Sequence, residues 1–362
     1  MKNLKGLFAV LCAFYVLTFA VPFGISQEKA ASATVQVHVV ITDAALREDA
    51  ELPPLQKQDI KVKQGKSFLP VSQVIPAQGE NAALQLMILI DDTLNPSVGN
   101  NLQDLKDFIS AQPSSTVIGV AYMSNATINV AQNFTPDHDL ALKAVRLPRG
   151  AFSTMDSPYL SLISLLKGWQ QEKVRREVLM VTDGIDRLRG ETPQPSRVGP
   201  TSQSGPNSQS RPKSSTATNS PAGLNSRLGP DFGTVYHSMP AISVDATSAS
   251  EMSQRFNVVV YSIYAAGVGR AGRSGWDLQL GLSGLTKIAD ETGGECYSLG
   301  TSPLVSFKPH LERLQKLLSN QYYVLFDAVP RKKAGFQRVN IQTELPNSEI
   351  LAPDNVWVRA AE

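Results

Sequence analysis

The hydrophobic and polar positions of the chain follow two periods, which predict strands and helices in turn. Val35–Ile41 alternates as a half-buried strand does. Four later segments, Ala83–Ile90, Thr116–Tyr122, Glu177–Thr182 and Asn257–Tyr264, are instead almost wholly apolar. Such segments are typical of central parallel strands that are covered on both faces. They therefore predict the middle of a parallel sheet.

Helical periodicity occupies the intervals between these strands. Leu102, Leu105, Phe108 and Ile109 recur as one face of an amphipathic helix does. Helix starts are predicted at Thr135-Pro136, Ser157-Pro158 and Pro309, and a helix over Leu285–Glu291 ends before Gly293-Gly294. Strands that alternate with helices at this spacing predict an α/β fold with a doubly wound, mostly parallel sheet.

Strand-like segments without helices flank the α/β region on both sides. The C-terminal ones are Gln321–Ala328, Phe336–Leu345 and Val356–Val358. We expect the two ends of the chain to pair into one small antiparallel β-rich unit. The predicted divisions are 1–26 for an export signal, 34–78 for an N-terminal β segment, 83–320 for the α/β domain and 321–360 for a C-terminal β segment.

The N-terminus has the features of an export signal. Lys2 and Lys5 precede the uncharged apolar run Leu7–Val21, and small residues precede Gln27, where cleavage is predicted. The run is shorter than the roughly 20 residues of a membrane span. An uncleaved N-terminal membrane anchor remains the alternative, because apolar residues continue to Ile25. Cleavage predicts a secreted or periplasmic protein, and a retained anchor would attach the protein to the membrane.

Residues 191–230 have a composition unlike the rest of the α/β region. Of these 40 residues, 24 are Pro, Gly, Ser or Thr. Such a segment buries too little apolar surface to offset the entropy lost on ordering. We predict a disordered insertion within the α/β domain.

Charge and metal-binding residue types narrow the classes of function. The chain has 34 basic and 32 acidic side chains, and removal of Lys2 and Lys5 with the signal leaves them balanced. A neutral chain lacks the basic surface that nucleic acid or an anionic membrane attracts. Two cysteines and four separated histidines, out of 362 residues, do not supply a disulfide framework or a zinc motif.

Three loops rich in oxygen-bearing side chains follow, or lie near, the predicted strand ends. The first runs from Asp91 to Asn95 after the strand ILI, the second from Ser153 to Ser157 before a helix, and the third is Thr182-Asp183-Gly184 after the strand VLMV. Ligands of open α/β sheets bind outside the carboxyl ends of the strands. Carboxylate, hydroxyl and amide oxygens are the donors that Mg²⁺ prefers.

These residues resemble the metal-ion-dependent adhesion site of von Willebrand factor A domains. The family pattern has Asp-x-Ser-x-Ser in the first loop, Thr in the second and Asp in the third. The order of the segments across 35–358, the insertion aside, is also similar to secreted von Willebrand A-related proteins of acidobacteria, whose C-terminal strand cluster opens with Gln-Tyr, as at Gln321-Tyr322.

The resemblance implies a role for each matching position. Asp91 and Thr93 would bind the cation from the first loop, and Asn95 stands where the family has its second Ser. Thr154 or Ser157 would supply the second-loop hydroxyl, and Asp183 the remote carboxylate. An acidic residue of a partner protein would complete the coordination of Mg²⁺.

Each loop also has an ordinary structural interpretation. Asp91-Asp92 and Ser157-Pro158 can cap the elements that follow them, and Asp183-Gly184 is a common turn pair. A phosphotransfer enzyme would need a second Asp where Thr93 stands. Nucleophile-elbow and Walker motifs do not occur in the sequence.

We therefore expect a non-enzymatic protein-binding module that is exported from the cell. In the first hypothesis it binds its partner through a divalent cation at the strand ends. In the alternative it is a metal-independent structural or assembly protein of the cell envelope with the same fold.

Overall fold

The computed structural model of the protein describes residues 34–46, 52–150, 153–170, 172, 174–188, 243–265, 275–298 and 305–360. The predicted export signal and the predicted insertion at 191–230 lie outside the described residues. None of the helices in the described ranges combines the length and the apolar character that a membrane crossing needs.

A six-stranded sheet forms the centre of the α/β region. Its strands are β5 (Leu84–Asp91), β6 (Thr116–Ser124), β7 (Thr127–Thr135), β8 (Arg175–Thr182), β9 (Val258–Tyr264) and β10 (Cys296–Tyr297). The spatial order is β10-β9-β8-β5-β6-β7, and all neighbours are parallel except β7, which runs antiparallel to β6. Every residue of β5, β8 and β9 is buried, as the unbroken apolar segments predict.

Helices cover both faces of this sheet. They are α1 (Gly99–Ser110), α2 (His138–Ala144), α3 (Pro158–Gly168), α4 (Val244–Arg255), α5 (Gly275–Thr292) and α6 (Lys308–Ser319). Apolar residues of α1 and α6 pack on one face, and those of α3, α4 and α5 pack on the other. The doubly wound α/β class predicted from the sequence is therefore confirmed.

The two ends of the chain form a pair of antiparallel sheets beside the central sheet. Their strands are β1 (Val35–Ala45), β2 (Ile60–Gln64), β3 (Ser67–Leu69), β4 (Val71–Pro76), β11 (Gln321–Ala328), β12 (Gly335–Thr343), β13 (Ser348–Leu351) and β14 (Asn355–Val358). One sheet has the order β13-β1-β11-β4 and the other β14-β12-β2-β3. Both sheets contribute to one apolar core, so N- and C-terminal strands build a shared β sandwich, as predicted.

A polar cluster lies where the sandwich meets the central sheet. Arg175 and Glu177 of β8 face Gln321 of β11, whose amide nitrogen donates to the hydroxyls of Tyr261 (3.1 Å) and Thr42 (3.3 Å). Glu177 is fully buried, and neither of its carboxylate oxygens has a hydrogen-bond partner. Burial, opposed by Arg175 and Gln321, raises the pKa of Glu177 to about 7.

Local details differ from the sequence-based prediction at two helix starts. Asp137, not Thr135, caps α2, because its carboxylate accepts from the N–H of Asp139 (3.0 Å). Helix α5 begins at Gly275, ten residues before the predicted Leu285, and Gly281 in its second turn packs against the backbone of Asp183 and Gly184.

Candidate functional site at the strand ends

The strand order places the candidate residues at one point of the central sheet. The chain leaves β5 toward β6 on one side, and β8 lies on the other side, so the order reverses between β5 and β8. Crevices at such a reversal are where open α/β sheets bind ligands. Asp91 ends β5 and Thr182 ends β8, and the two strands are paired through Ile90 and Val181.

Asp91 joins the first and third loops. Its Oδ1 accepts from the N–H of Thr93 (2.9 Å), and its Oδ2 accepts from the hydroxyl of Thr182 (2.7 Å). The Thr182 hydroxyl in turn accepts from the N–H of Gly184 (3.1 Å). Asp91 is buried, so these contacts compensate for the water that its carboxylate loses. This carboxylate therefore cross-links two loops.

Thr93 and Asn95, the other two candidates of the first loop, lie in different environments. Thr93 is buried, and its hydroxyl has no hydrogen-bond partner. Asn95 is exposed, and its side-chain oxygen accepts from the N–H of Ser97 (2.9 Å), which caps the following short helix. Asn95 therefore acts as a local cap, while Thr93 keeps an unused donor and acceptor inside the site.

The second loop presents its candidates differently. Thr154 is exposed, whereas Ser157 is buried and caps α3 by accepting from the N–H of Leu160 (3.3 Å). Asp156, which lies between them, is buried and accepts from the N–H groups of Asn125 (2.7 Å) and Ser153 (2.5 Å). Ser157 thus has the capping role that its sequence context predicts.

Asp183 of the third loop forms a buried ion pair. Its Oδ1 accepts from the N–H of Ile185 (3.0 Å), and its Oδ2 lies 3.0 Å from Nη2 of Arg187. The side chain of Asp183 is 0% exposed and that of Arg187 is 12% exposed. The Arg187 N–H also donates to the carbonyl of Asp156 (2.8 Å), which ties the third loop to the second.

Asp92 has a separate structural role. Two nitrogens of Arg146 contact its two carboxylate oxygens at 2.7 and 3.0 Å, and the N–H of Arg149 donates to it at 2.9 Å. Burial works against ionisation of Asp92, but these hydrogen bonds outweigh it, so the pKa of Asp92 is lowered. The guanidinium of Arg146 also stacks on Tyr122, with its carbon 3.7 Å from the ring centre. The contacts with Asp92 therefore hold residues 146–150 beside the site.

Two glycines bring α5 against the third loop. Gly184 has a φ of +68°, and a Cβ there would lie 2.5 Å from the carbonyl oxygen of Gly281. A Cβ on Gly281 would in turn collide with the carbonyl oxygen of Asp183. The hydroxyl of Tyr159 donates to the carbonyl of Gly184 (2.6 Å). Helix α5 therefore holds the turn behind Asp183 in place.

These contacts test whether the site fits a divalent cation. Asp91 already accepts two hydrogen bonds, and the side chain of Asn95 caps a short helix. Asp183 is already paired with the positive charge of Arg187. Of the buried candidate side chains, Thr93 has a hydroxyl without a hydrogen-bond partner. Across the described ranges, no three acidic, His or Cys side chains are placed to hold a metal ion. The arrangement as it stands does not fit the Mg²⁺ site that the resemblance implies.

Arg187, the residue that changes this site most, was not predicted from the sequence. Arg187 lies four residues after Asp183, and the loop that places it opposite the carboxylate depends on a contact with Asp156 in another loop. The only available signal was the spacing of an acidic and a basic residue after a strand end, and that pattern is common on surfaces.

Comparisons with known proteins gave structural matches only. A scan against protein-family profiles found no match, and a search of curated proteins also found none. Among solved structures, the chain is similar to an aerotolerance-related membrane protein from Bacteroides fragilis, at 11% identity, over 65% of this chain and 98% of that one, with a TM-score of 0.37.

Two further matches extend over more of the chain. A von Willebrand factor type A protein from Catenulispora acidiphila is 8% identical over 91% of this chain and 74% of that one, with a TM-score of 0.37. The N-terminal domains of the type V pilus tip protein Mfa5 from Porphyromonas gingivalis are 8% identical over 90% of this chain and 66% of that one, also with a TM-score of 0.37.

At these identities and TM-scores, the matches carry no argument about what the chain binds. The fold class depends on the strand order, on the reversal between β5 and β8 and on the helices of both faces. The α/β region is a doubly wound domain whose structural neighbours include von Willebrand A domains, the family that the strand-end motifs resemble.

Proposed function

We propose that this chain is an exported protein-interaction module, and that its strand-end face binds the partner. The observation that carries this proposal is a set of three exposed apolar side chains, here called the apolar rim, in segments next to the buried charged centre. Leu147, Met155 and Val244 are 52%, 54% and 59% exposed, and all three belong to segments at this edge of the central sheet. Exposed apolar side chains grouped around polar ones are typical of protein-binding surfaces.

Contacts within the face support this assignment. Leu147 lies over the start of α1, within reach of Gly99. Val244 begins α4 beside Ser243, whose hydroxyl donates to Asp186 of the third loop (2.9 Å). The apolar rim is thus attached to the same loops that position Asp91 and Asp183. A partner that covers the rim would also cover the charged centre.

A pull-down with the full chain tests the binding face. Wild type, Met155→Asp/Val244→Asp and the control Val130→Asp/Val329→Asp are each incubated with envelope extract, and retained proteins are identified by mass spectrometry. Val130 and Val329 are similarly exposed, at 49% and 41%, but lie on β7 and directly after β11. We expect a protein retained by the wild type and the control to be lost from the rim variant.

Retention of the same proteins by all three forms would refute the strand-end face as the binding surface. If no form retains a protein, the alternative of a structural envelope module with this fold is favoured.

Export is tested separately. We expect the mature protein in the envelope or extracellular fraction to begin at Gln27, which intact-mass measurement would show. A mass that includes Lys2 and Lys5 in the membrane fraction would indicate a retained anchor instead.

A further inference from the structure

The ion pair of Asp183 and Arg187 involves the carboxylate that the resemblance assigns to the cation. Asp183 is fully buried, and a buried carboxylate requires a compensating charge and hydrogen bonds. Arg187 supplies the charge at 3.0 Å, and the N–H of Ile185 supplies a hydrogen bond at 3.0 Å. The electrostatic need that a divalent cation would meet is therefore already met by a residue of this chain.

The loop that contains Arg187 is built to hold it there. One guanidinium nitrogen donates to the carbonyl of Ile185 (3.2 Å), and the backbone N–H groups of Arg187 and Leu188 both donate to the carbonyl of Asp156 (2.8 and 3.2 Å). Asp156 is itself fixed by two backbone N–H groups. Arg187 is thus positioned by backbone contacts and is not a freely moving surface arginine.

The other side chains that the resemblance assigns to the metal ion are already hydrogen-bonded within this chain. Asp91 directs its oxygens to Thr93 and Thr182, and Asn95 directs its oxygen to Ser97. A coordination sphere for Mg²⁺ needs six oxygens in nearly ideal octahedral geometry. Each of these oxygens already accepts a hydrogen bond, so a cation would have to share it with a donor of this chain.

We propose that the guanidinium of Arg187 takes the position and the charge of the divalent cation, which makes the strand-end site independent of metal. This inference does not rest on the proposed binding function, since it concerns only the charge at Asp183. It predicts that the wild-type protein gains no stability from Mg²⁺ or Mn²⁺. It also predicts that removing the guanidinium uncovers a site for such an ion.

Thermal unfolding and calorimetric Mn²⁺ titration of the full chain test this proposal without any partner. The variants are Arg187→Met, which removes the guanidinium beside Asp183, and Asp183→Asn/Arg187→Met, which removes both charges. Arg338→Met is the control, because Arg338 is an 82% exposed arginine on β12 whose nearest carboxylate is 3.9 Å away.

We expect the Tm of the wild type and of the Arg338 control to be unchanged by millimolar Mn²⁺ or by a chelator. Arg187→Met should lower Tm by about 10 °C, because it removes the positive charge 3.0 Å from a buried carboxylate. Millimolar Mn²⁺ should restore about 4 °C or more in this variant. The double variant should unfold at a higher temperature than Arg187→Met and should not respond to Mn²⁺.

Three results would overturn the proposal. They are a wild-type Tm that rises with Mn²⁺, an Arg187→Met protein that folds but does not respond to Mn²⁺, and a double variant no more stable than Arg187→Met. If Arg187→Met does not fold, two results still overturn the proposal. They are a wild-type Tm that rises with Mn²⁺ and a double variant that does not fold either. All of these measurements are independent of whether a partner protein is found.

Discussion

Replacing Glu177 by Gln should remove one pH-dependent loss of the protein's stability. Glu177 is fully buried between the central sheet and the β sandwich, and its carboxylate oxygens have no hydrogen-bond partners. Burial raises its pKa from 4.5 to about 7. At about 1.4 kcal/mol per pKa unit, ionising this group costs the folded state about 3 kcal/mol relative to the unfolded chain.

The direction of the effect follows from which state holds the proton. Below pH 4.5, Glu177 is protonated in both states and no penalty applies. Between pH 4.5 and about 7, the unfolded chain releases the proton while the folded protein keeps it, so the free energy of unfolding falls as pH rises. Above about pH 7 the full loss is present.

Urea unfolding at a series of pH values measures this loss. We expect the stability of the wild type relative to Glu177→Gln to fall by about 3 kcal/mol from the acidic to the alkaline side of the window. Glu349→Gln, at an exposed position of β13, should leave the wild-type pH dependence intact. A difference between wild type and Glu177→Gln that stays constant with pH would refute the reasoning, because it would mean that Glu177 does not titrate there.

Two further predictions concern the supports of the strand-end site. Arg146→Ala should lower the free energy of unfolding by about 2 kcal/mol, because buried Asp92 loses the two hydrogen bonds from the Arg146 guanidinium and keeps the one from the N–H of Arg149. Chemical denaturation checks this, and a loss below experimental error would contradict it. Gly184→Ala should cost about 3 kcal/mol, from a positive φ together with a clash on Gly281, whereas Gly65→Ala, with a similar φ and open space, should cost only about 1 kcal/mol. Equal losses at the two glycines would show that the clash is relieved.

The fold was predictable because its strongest signals are local. The unbroken apolar segments of β5, β8 and β9 need cover on both faces, and this requirement leads directly to a parallel sheet with helices on each side. The pairing of the chain's ends was also predictable, since neither set of strands has a helix to cover it. The strand Ser348–Leu351 was missed because it is short and none of its residues is fully buried.

The candidate site was predictable in position but not in chemistry. Strand ends and the oxygen-rich loops locate Asp91 and Asp183, because the carboxyl ends of parallel strands share one edge. The partner of each carboxylate depends on loop conformation, and loop conformation depends on contacts between segments distant in sequence. Arg187 reaches Asp183 only because the third loop is hydrogen-bonded to Asp156, a relation that no local pattern contains.

The shared β sandwich has a consequence for the order of folding. Every strand of the central sheet precedes β11 in the chain, and residues 35–42 of β1 are paired with β11, so that Val35 lies opposite Ala328. Closing a loop of this length costs entropy before the contacts compensate for it. We therefore expect the central sheet to form first. The edges of β1 and β4 that pair with β11 remain unpaired until β11 joins them. Refolding should show a slow final phase, in which the sandwich closes and Glu177 leaves water.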